Sequence, residues 1–282
     1  MADNNTEKSE LAGMCIHGNF PPCKSCQGTS NSEQEKNISI HLIDPENKQD
    51  VSDYYQFEID QGFTTVNPKT TFEKMIAFRQ TQLREQKLKV AVAKEGDKIV
   101  STGVVVLENG TLGRELESNE AGAGGVVVSQ EKRNSGIGEM MARQQLQIAR
   151  EAGKESIVSY IDRGNDPSFR LHLKLGYRLE GIRKNQDDSG QEKIDFKIRN
   201  QLNDESEQKN WIEEVLSGRL VIVNQIETNN PNSILIDPNN EQLIEQALTQ
   251  GYRGVFLLRP KDFEGKNKDQ GGLDKNYFIF SK

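Results

Sequence analysis

The most constraining feature of this chain is an apolar run that ends in a glycine-containing turn and leads directly into a long amphipathic pattern. The run is Val126-Val127-Val128, and the turn ends in Arg133-Asn134-Ser135-Gly136-Ile137-Gly138. After the turn, apolar residues recur at helical spacing, which predicts a helix from about 136 to 152 with Gly153 as its C-cap. The segment therefore predicts a strand, a tight turn and a helix in immediate succession.

That turn has the chemistry of an anion site. The first turn of a helix leaves about four backbone N–H groups without intrahelical partners, and the helix dipole adds partial positive charge. Arg133 supplies a formal charge, and the glycines let a diphosphate approach the backbone closely. The alternative is a plain strand–helix turn whose glycines only relieve crowding. The dinucleotide fingerprint is incomplete, because Met141 replaces its third glycine.

Short apolar runs alternate with helical patterns on both sides of this turn. Ile38, Ile40 and Leu42 alternate with polar residues, as in a strand, and helices are predicted at 51–61 and 69–86. Further strands are predicted at 88–94, 98–107, 121–128, 156–161, 177–183 and 191–198, with a short helix at 166–175. These parallel-type strands with interposed helices predict a layered α/β sheet.

A second motif follows the predicted strand at 156–161, which begins about twenty residues after the helix opens. Asn165-Asp166-Pro167 begins a helix that carries His172 and stops at Gly176-Tyr177. The order R-x-x-G-x-G and then N-x-x-S-x-x-L-H-x-x-x-G-Y resembles the GNAT superfamily of acyl-CoA-dependent N-acyltransferases, over residues 38 to about 198. The resemblance implies a mixed α/β sheet in layers, flanked by helices and splayed between its fourth and fifth strands.

The resemblance also implies acetyl-CoA as the co-substrate and an amine as the acceptor. Residues 133–138 would hold the pyrophosphate, and Val126, Val127 and Val128 would pair with the pantetheine arm as an added strand. An amide near Val128 would polarise the thioester carbonyl. Asn165 would contact the cofactor arm or would only cap its helix.

The catalytic residues are less well defined by the resemblance. His172 occupies the position at which many members carry a tyrosine acid, so it would protonate the departing thiolate or would be a packed helix residue. Glu115, Glu117 and Glu120 precede the fourth strand, and Glu120 is the candidate base. Each could instead be a solvated loop charge.

The region from about 51 to 86 would form much of the acceptor wall. Its aromatic and acidic residues, which are compatible with a cationic amine, are Asp53, Tyr54, Tyr55, Phe57, Glu58, Asp60 and Phe63. The leading hypothesis is an N-acetyltransferase that uses direct amine attack on the thioester. The alternative is a CoA-binding or adaptor protein without catalytic activity.

All three cysteines lie close together near the N-terminus, beside one of only three histidines. Cys15, His17, Cys23 and Cys26 offer four ligands of the kind zinc prefers in closed structural sites. The alternative is a polar tail with incidental thiols. Structural zinc is the prediction.

Composition and polarity divide the chain into three parts. A Cys/His segment with a linker spans 1–36, the GNAT-like domain spans 37–200, and a small α/β accessory domain spans 203–282, with helices at 207–216 and 240–250 and strands at 219–226, 233–236, 254–258 and 276–280. The terminal segments could bind a protein partner. The net charge of −7 disfavours nucleic acid, and the absence of a long apolar run or a signal-like start predicts a cytoplasmic protein without a membrane segment.

Overall fold

The computed structural model describes residues 38–64, 70–186, 190–203, 211–217, 220–227, 231–263, 273 and 275–282. Its helices are α1 (Lys48–Asp60), α2 (Phe72–Arg84), α3 (Ile137–Glu151), α4 (Asp166–Lys174), α5 (Trp211–Leu216) and α6 (Glu241–Thr249). Its strands are β1 (Ile38–Leu42), β2 (Leu88–Glu95), β3 (Lys98–Val106), β4 (Glu120–Val128), β5 (Ser156–Asp162), β6 (Arg178–Gln186), β7 (Glu192–Gln201), β8 (Val221–Ile222), β9 (Ser233–Ile236), β10 (Arg253–Leu258) and β11 (Tyr277–Ser281).

Within these ranges, eleven strands form one sheet in the order β1-β2-β3-β4-β5-β7-β6-β10-β11-β9-β8. The layered mixed sheet flanked by helices confirms the predicted fold class. The prediction of parallel-type strands was wrong, because among the described strands only β4–β5 and β8–β9 pair in parallel. Helices cover β2 to β4 on both faces, so their apolar runs are nearly continuous, a pattern that parallel strands usually show.

Helices α1 and α2 each begin directly after a capping side chain, and not where the apolar periodicity alone places their first residue. α1 begins at Lys48, since Asn47 accepts hydrogen bonds from the backbone N–H groups of Gln49 and Asp50. α2 begins at Phe72, since the Thr71 hydroxyl accepts from the N–H of Lys74. Both starts differ by three residues from the predicted 51 and 69.

Two helical layers enclose the strands that carry the candidate site. On one face, α1 and α2 pack Val51, Tyr54 and Ile76 against alternate residues of β2, β3 and β4. On the opposite face, α3 and α4 pack Met141, Phe169 and their apolar neighbours. We call the side covered by α1 and α2 the α1–α2 face.

The C-terminal elements continue the same sheet. β10 joins β6 through the pair Gly254–Leu179, and β11 and β9 follow by antiparallel pairing. Phe278 of β11 packs edge-on to Phe169 of α4 and Phe196 of β7, with ring centroids 5.3 and 5.6 Å away. β8 is much shorter than the predicted strand at 219–226. The predicted domain boundary stays a prediction, although the C-terminal unit shares its core with the preceding elements.

No helix in the described part of the chain has both the length and the apolar character needed to cross a bilayer.

Candidate functional site

The sheet opens between β4 and β5. These parallel strands pair only at their first three residues, and the last pair is Gly122–Val158. On its other edge β4 stays paired to β3 as far as Val128, opposite Ser101. Among the described residues, the β5-facing edge of β4 beyond Gly122 therefore has no strand partner. We call this opening the β4–β5 gap.

A β-bulge lies in β4 beside the gap. Gly124 and Gly125 together oppose the single residue Val104 of β3. A Cβ at Gly124 would lie 2.8 Å from the Val104 Cβ, and one at Gly125 would lie 2.1 Å from the Phe63 ring. The amide of Gln145 on α3 holds the bulge by donating to the carbonyls of Val104 and Gly124, at 2.9 and 2.8 Å. Gly124 is thus required by its contact with β3, whereas a side chain at Gly125 would displace the Phe63 ring.

The glycine turn lies at the open end of β4. Asn134 and Gly136 adopt left-handed φ values of 64° and 86°, which turn the chain into α3. No backbone N–H of residues 134–139 donates to another described residue, and no side chain caps α3. Apart from Ile137 and the half-buried Gly138 and Glu139, this turn is exposed. Its amides are therefore free to bind an anion, as the sequence predicts.

The turn also lies next to the predicted pantetheine strand. A Cβ at Gly138 would lie 3.7 Å from the Val128 side chain, so the start of α3 rests against the end of β4. The guanidinium Nε of Arg133 donates to the Val128 carbonyl at 3.4 Å. The structure thus brings Val126 to Val128 and residues 133–138 together, while their contacts with CoA stay predictions.

Asn165 and His172 occupy structural positions on α4. Asn165 caps the helix, and its side-chain oxygen accepts from the Ser168 N–H at 3.3 Å. The His172 imidazole is 6% exposed, its Nδ1–H donates to the Ser168 carbonyl at 2.8 Å, and it packs edge-on to Tyr177. Burial lowers the pKa of His172 below its ordinary value. These contacts favour the packed-residue alternative for His172, because a buried neutral imidazole is a poor proton donor.

Glu120 lies at the closed end of the β4–β5 pair. Its carboxylate is buried, forms an ion pair with Arg199 and accepts from the Glu117 backbone N–H at 3.2 Å. Glu115 and Glu117 are exposed in the preceding loop. Glu120 is thus occupied by Arg199 at the opposite end of β4 from the glycine turn, so its role as the base has no geometric support.

A different carboxylate, that of Glu58, lies against the middle of the sheet. Glu58 on α1 is 2% exposed and accepts hydrogen bonds from the hydroxyls of Thr64 and Thr102, at 3.2 and 3.3 Å. Thr102 is paired with Val127 of β4, so this carboxylate lies near the edge of the β4–β5 gap. Burial raises the pKa of Glu58 although the positive charge of Arg79 opposes the rise. A buried carboxyl with a raised pKa is suited to accept a proton near neutral pH.

The other predicted acceptor-wall residues have divided roles. Tyr54, Tyr55 and Phe57 are core residues under α1 and α2, whereas Phe63 is 52% exposed and covers Gly125. Asp53 and Asp60 point to solvent. Of the three acidic residues in this predicted wall, Glu58 alone is buried against the sheet. Sequence reasoning had a signal for it, since Glu58 continues the buried stripe of Val51, Tyr54 and Tyr55 along α1.

The predicted zinc ligands Cys15, His17, Cys23 and Cys26 lie outside the described residues, so structural zinc stays a prediction. Within the residues that are described, no group of three or more metal-ligating side chains comes together.

Comparison with known proteins relates this geometry to a family. Residues 51–177 match the model of the Acetyltransferase (GNAT) family. No curated protein matches the chain. Solved structures with a similar fold include yncA of Salmonella typhimurium, solved with its cofactor acetyl-CoA (17% identity, 62% of this chain and 99% of that one, TM-score 0.47). A second is an N-acetyltransferase of Staphylococcus aureus Mu50 (17% identity, 59% of this chain and 99% of that one, TM-score 0.47). A third is a ribosomal-protein-alanine N-acetyltransferase of Brucella melitensis (19% identity, 58% of this chain and 99% of that one, TM-score 0.45).

The family model spans the elements that build the site, from α1 through β4, the glycine turn, α3 and β5 to α4. The resemblance seen in the two sequence motifs is thereby confirmed: residues 51–177 match the GNAT acetyltransferase family.

Proposed function

We propose that the protein is an N-acetyltransferase that transfers the acetyl group of acetyl-CoA to an amine. The observation that carries the proposal is the row of unbonded amides at residues 134–139, next to the unpaired edge of β4. Membership of the acetyltransferase family supports the reaction class.

Two features would hold acetyl-CoA. The pyrophosphate would accept hydrogen bonds from the free amides of the glycine turn, where the dipole of the fifteen-residue helix α3 and the Arg133 charge favour an anion. The amide-rich pantetheine arm would add to the free edge of β4 at Val126 to Val128 as a strand does. Arg133 is anchored for this role by its contact with the Val128 carbonyl.

The reaction is a direct displacement at the thioester. The neutral amine nitrogen forms a bond to the acetyl carbon, the C–S bond breaks, and CoA leaves as a thiolate that takes a proton from solvent. The proton lost by the amine passes to the Glu58 carboxylate, directly or through one water. Thr64 and Thr102 orient that carboxylate, and its raised pKa matches the task.

A matched pair of variants at Gly136 tests the anion site. Gly136 has a φ of 86°, so both Gly136→Asn and Gly136→Asp introduce a side chain of similar size at a left-handed position. Only the aspartate brings a negative charge beside the diphosphate. We expect Gly136→Asp to bind acetyl-CoA at least about tenfold more weakly than Gly136→Asn in a calorimetric titration. Equal affinities would contradict the proposed site.

Turnover separates the enzyme from the adaptor alternative. Release of free CoA thiol in the presence of an amine panel is expected of an acetyltransferase. Tight CoA binding without acetylation of any amine would instead favour the adaptor. If the wild-type protein neither binds acetyl-CoA nor acetylates any amine, the proposed function is overturned altogether.

A further inference from the structure

Two arginine side chains lie over the Tyr160 ring at the mouth of the β4–β5 gap. The guanidinium carbon of Arg183 is 3.9 Å from the ring centroid, and that of Arg114 is 5.4 Å away. Tyr160 lies two residues beyond Val158, where the pairing with β4 ends, and alternation along the strand places both on the α1–α2 face. We call Arg114, Tyr160 and Arg183 the arginine–tyrosine cluster.

Positive charge exceeds negative charge at this cluster. Arg183 donates to the buried carboxylate of Asp195 at 2.7 Å. Lys193 is shared between Asp162, at 2.8 Å, and Asp195, at 3.7 Å. The guanidinium group of Arg114 makes no ion pair or hydrogen bond with any residue in the described ranges, and only the Arg114 backbone is bonded, to Gly110 and Thr111. Among the described residues, Arg114, Arg183 and Lys193 thus face two carboxylates, those of Asp162 and Asp195. Both carboxylates already contact Arg183 or Lys193, and neither forms an ion pair with Arg114.

Packing rather than a carboxylate holds Arg114 in place. Its Cγ lies 3.7 Å from the position that a Cβ on Gly122 would take, so the side-chain stem rests on β4 at the start of the gap. Burial and the neighbouring charge of Arg183 lower the pKa of Arg114. A guanidinium that is half withdrawn from water beside a second cation is unfavourable unless an anion joins it. The arrangement is therefore built to receive an anionic group.

The opposite flank of the gap carries the Glu58 carboxylate. Glu58 contacts Thr102 on β3, whereas the arginine–tyrosine cluster lies over β5 to β7, and β4 runs between them. The two flanks have opposite charge and share the α1–α2 face. A small molecule with an amine at one end and an anion at the other would complement both.

We propose that Arg114 and Arg183 bind the carboxylate of the acceptor, so that the acceptor is a small amine of the amino-acid class. This inference rests on the proposed acetyl transfer. Guanidinium groups bind carboxylates through paired N–H donors with a fixed planar geometry, which gives specificity as well as affinity. With its carboxylate held there, the acceptor amine would face Glu58 across β4.

The test is an acetyl-transfer assay on matched pairs of acceptors. The wild-type protein is given each of the common L-amino acids and the corresponding carboxamide, which keeps the amine and removes the negative charge. Arg114→Gln is compared with Arg84→Gln, an exposed residue of α2 whose ion pair with Glu46 lies outside the site. Affinity for acetyl-CoA is measured on all three proteins.

We expect at least one amino acid to exceed its carboxamide in kcat/KM, and Arg114→Gln to remove about tenfold to a hundredfold of that preference. The carboxamide rates, the acetyl-CoA affinity and the Arg84→Gln protein should be unchanged. Carboxamides that react as well as the acids, or a preference that survives Arg114→Gln, would overturn the inference and leave acetyl transfer intact. Failure to acetylate either member of any pair counts against the inference too. If the protein in that case binds acetyl-CoA and acetylates only other amines, the proposed acetyl transfer stands and the inferred amino-acid acceptor is excluded.

Discussion

At the scale of single residues, the central question is what the buried carboxylate of Glu58 does. Its surroundings are polar but largely closed to water, with two hydroxyl donors and the charge of Arg79 nearby. Such a group destabilises the fold when it ionises, because burial penalises the charged form. A costly carboxylate beside the reaction centre is the pattern expected of a catalytic base.

Glu58→Gln tests this role and separates it from a structural one. The amide keeps the shape but cannot accept a proton, so kcat should fall by roughly 10²- to 10⁴-fold. In the wild-type protein, kcat/KM should rise with pH through a limb set by the raised pKa of Glu58, and this limb should be absent from the variant. Acetyl-CoA affinity should not change. A variant with normal kcat and the same pH profile would contradict the assignment.

The direction in which Glu58→Gln changes the stability of the protein follows from proton linkage. The pKa of Glu58 is raised in the folded state, so the folded protein holds its proton more tightly than the unfolded chain does. The stabilisation by this proton is complete below the unfolded pKa and is lost as the pH rises through the folded pKa. Glu58→Gln should therefore be at least as stable as the wild type at pH 8, which can be measured by urea unfolding.

The residue scale is also where sequence reasoning was weakest. The resemblance predicts a proton-donating His172 because this residue aligns with a family tyrosine, yet its ring is packed against Tyr177 and bonded within its own helix. Glu120 is the predicted base because it precedes the fourth predicted strand, yet its carboxylate pairs with Arg199 from β7. Both outcomes depend on contacts between distant segments, which linear spacing cannot express. The glycine turn was predictable because its chemistry depends only on local backbone conformation.

At the scale of secondary-structure elements, α3 connects two parts of the site. Its first turn offers the free amides, and Gln145 in its third turn holds the β4 bulge by two hydrogen bonds. The sequence predicted this helix and β4 to within a residue, because strong periodicity and flanking glycines define both. The bulge was not predicted, since it arises from the register between β3 and β4.

Gln145→Leu tests whether α3 sets the shape of β4. Leucine fits the apolar surroundings of a fully buried side chain but leaves the carbonyls of Val104 and Gly124 without their donor. We expect a loss of about 1–3 kcal/mol in the free energy of unfolding. Because the pyrophosphate site at the start of α3 is untouched, kcat should fall more than acetyl-CoA affinity does. An equal loss of both would show that the whole gap had deformed.

At the scale of the whole molecule, the C-terminal elements contact the elements that precede residue 203 through packing and through ion pairs. Arg163 and Lys184 both pair with Glu241 at the start of α6, and Arg170 of α4 pairs with Asp262. The polar stretch after residue 200 predicts a separate unit, because polar composition is typical of a linker between domains. It does not report whether the flanking strands meet in one sheet. Leu179 and Gly254 make that junction.

Cooperative unfolding is the property that this continuity predicts. Phe278 is 1% exposed and packs against Phe169 and Phe196, so Phe278→Ala should remove roughly 3–5 kcal/mol of stability. The matched control is Phe78→Ala on α2, where the ring is 64% exposed and the change should stay within about 0.5 kcal/mol. Urea unfolding would be followed by two probes: fluorescence of Trp211, the single tryptophan, which lies in the C-terminal α5, and loss of acetyl-CoA binding.

If the sheet is one folding unit, both probes should report the same midpoint in each protein, and Phe278→Ala should move both together. The physical reason is that the Phe278 ring fills space between α4 and β7, so the C-terminal strands cannot leave without exposing the core beneath α4. A Trp211 transition at lower urea, with acetyl-CoA binding retained beyond it, would instead show that residues from 203 onward unfold as an independent domain, as the sequence alone predicted.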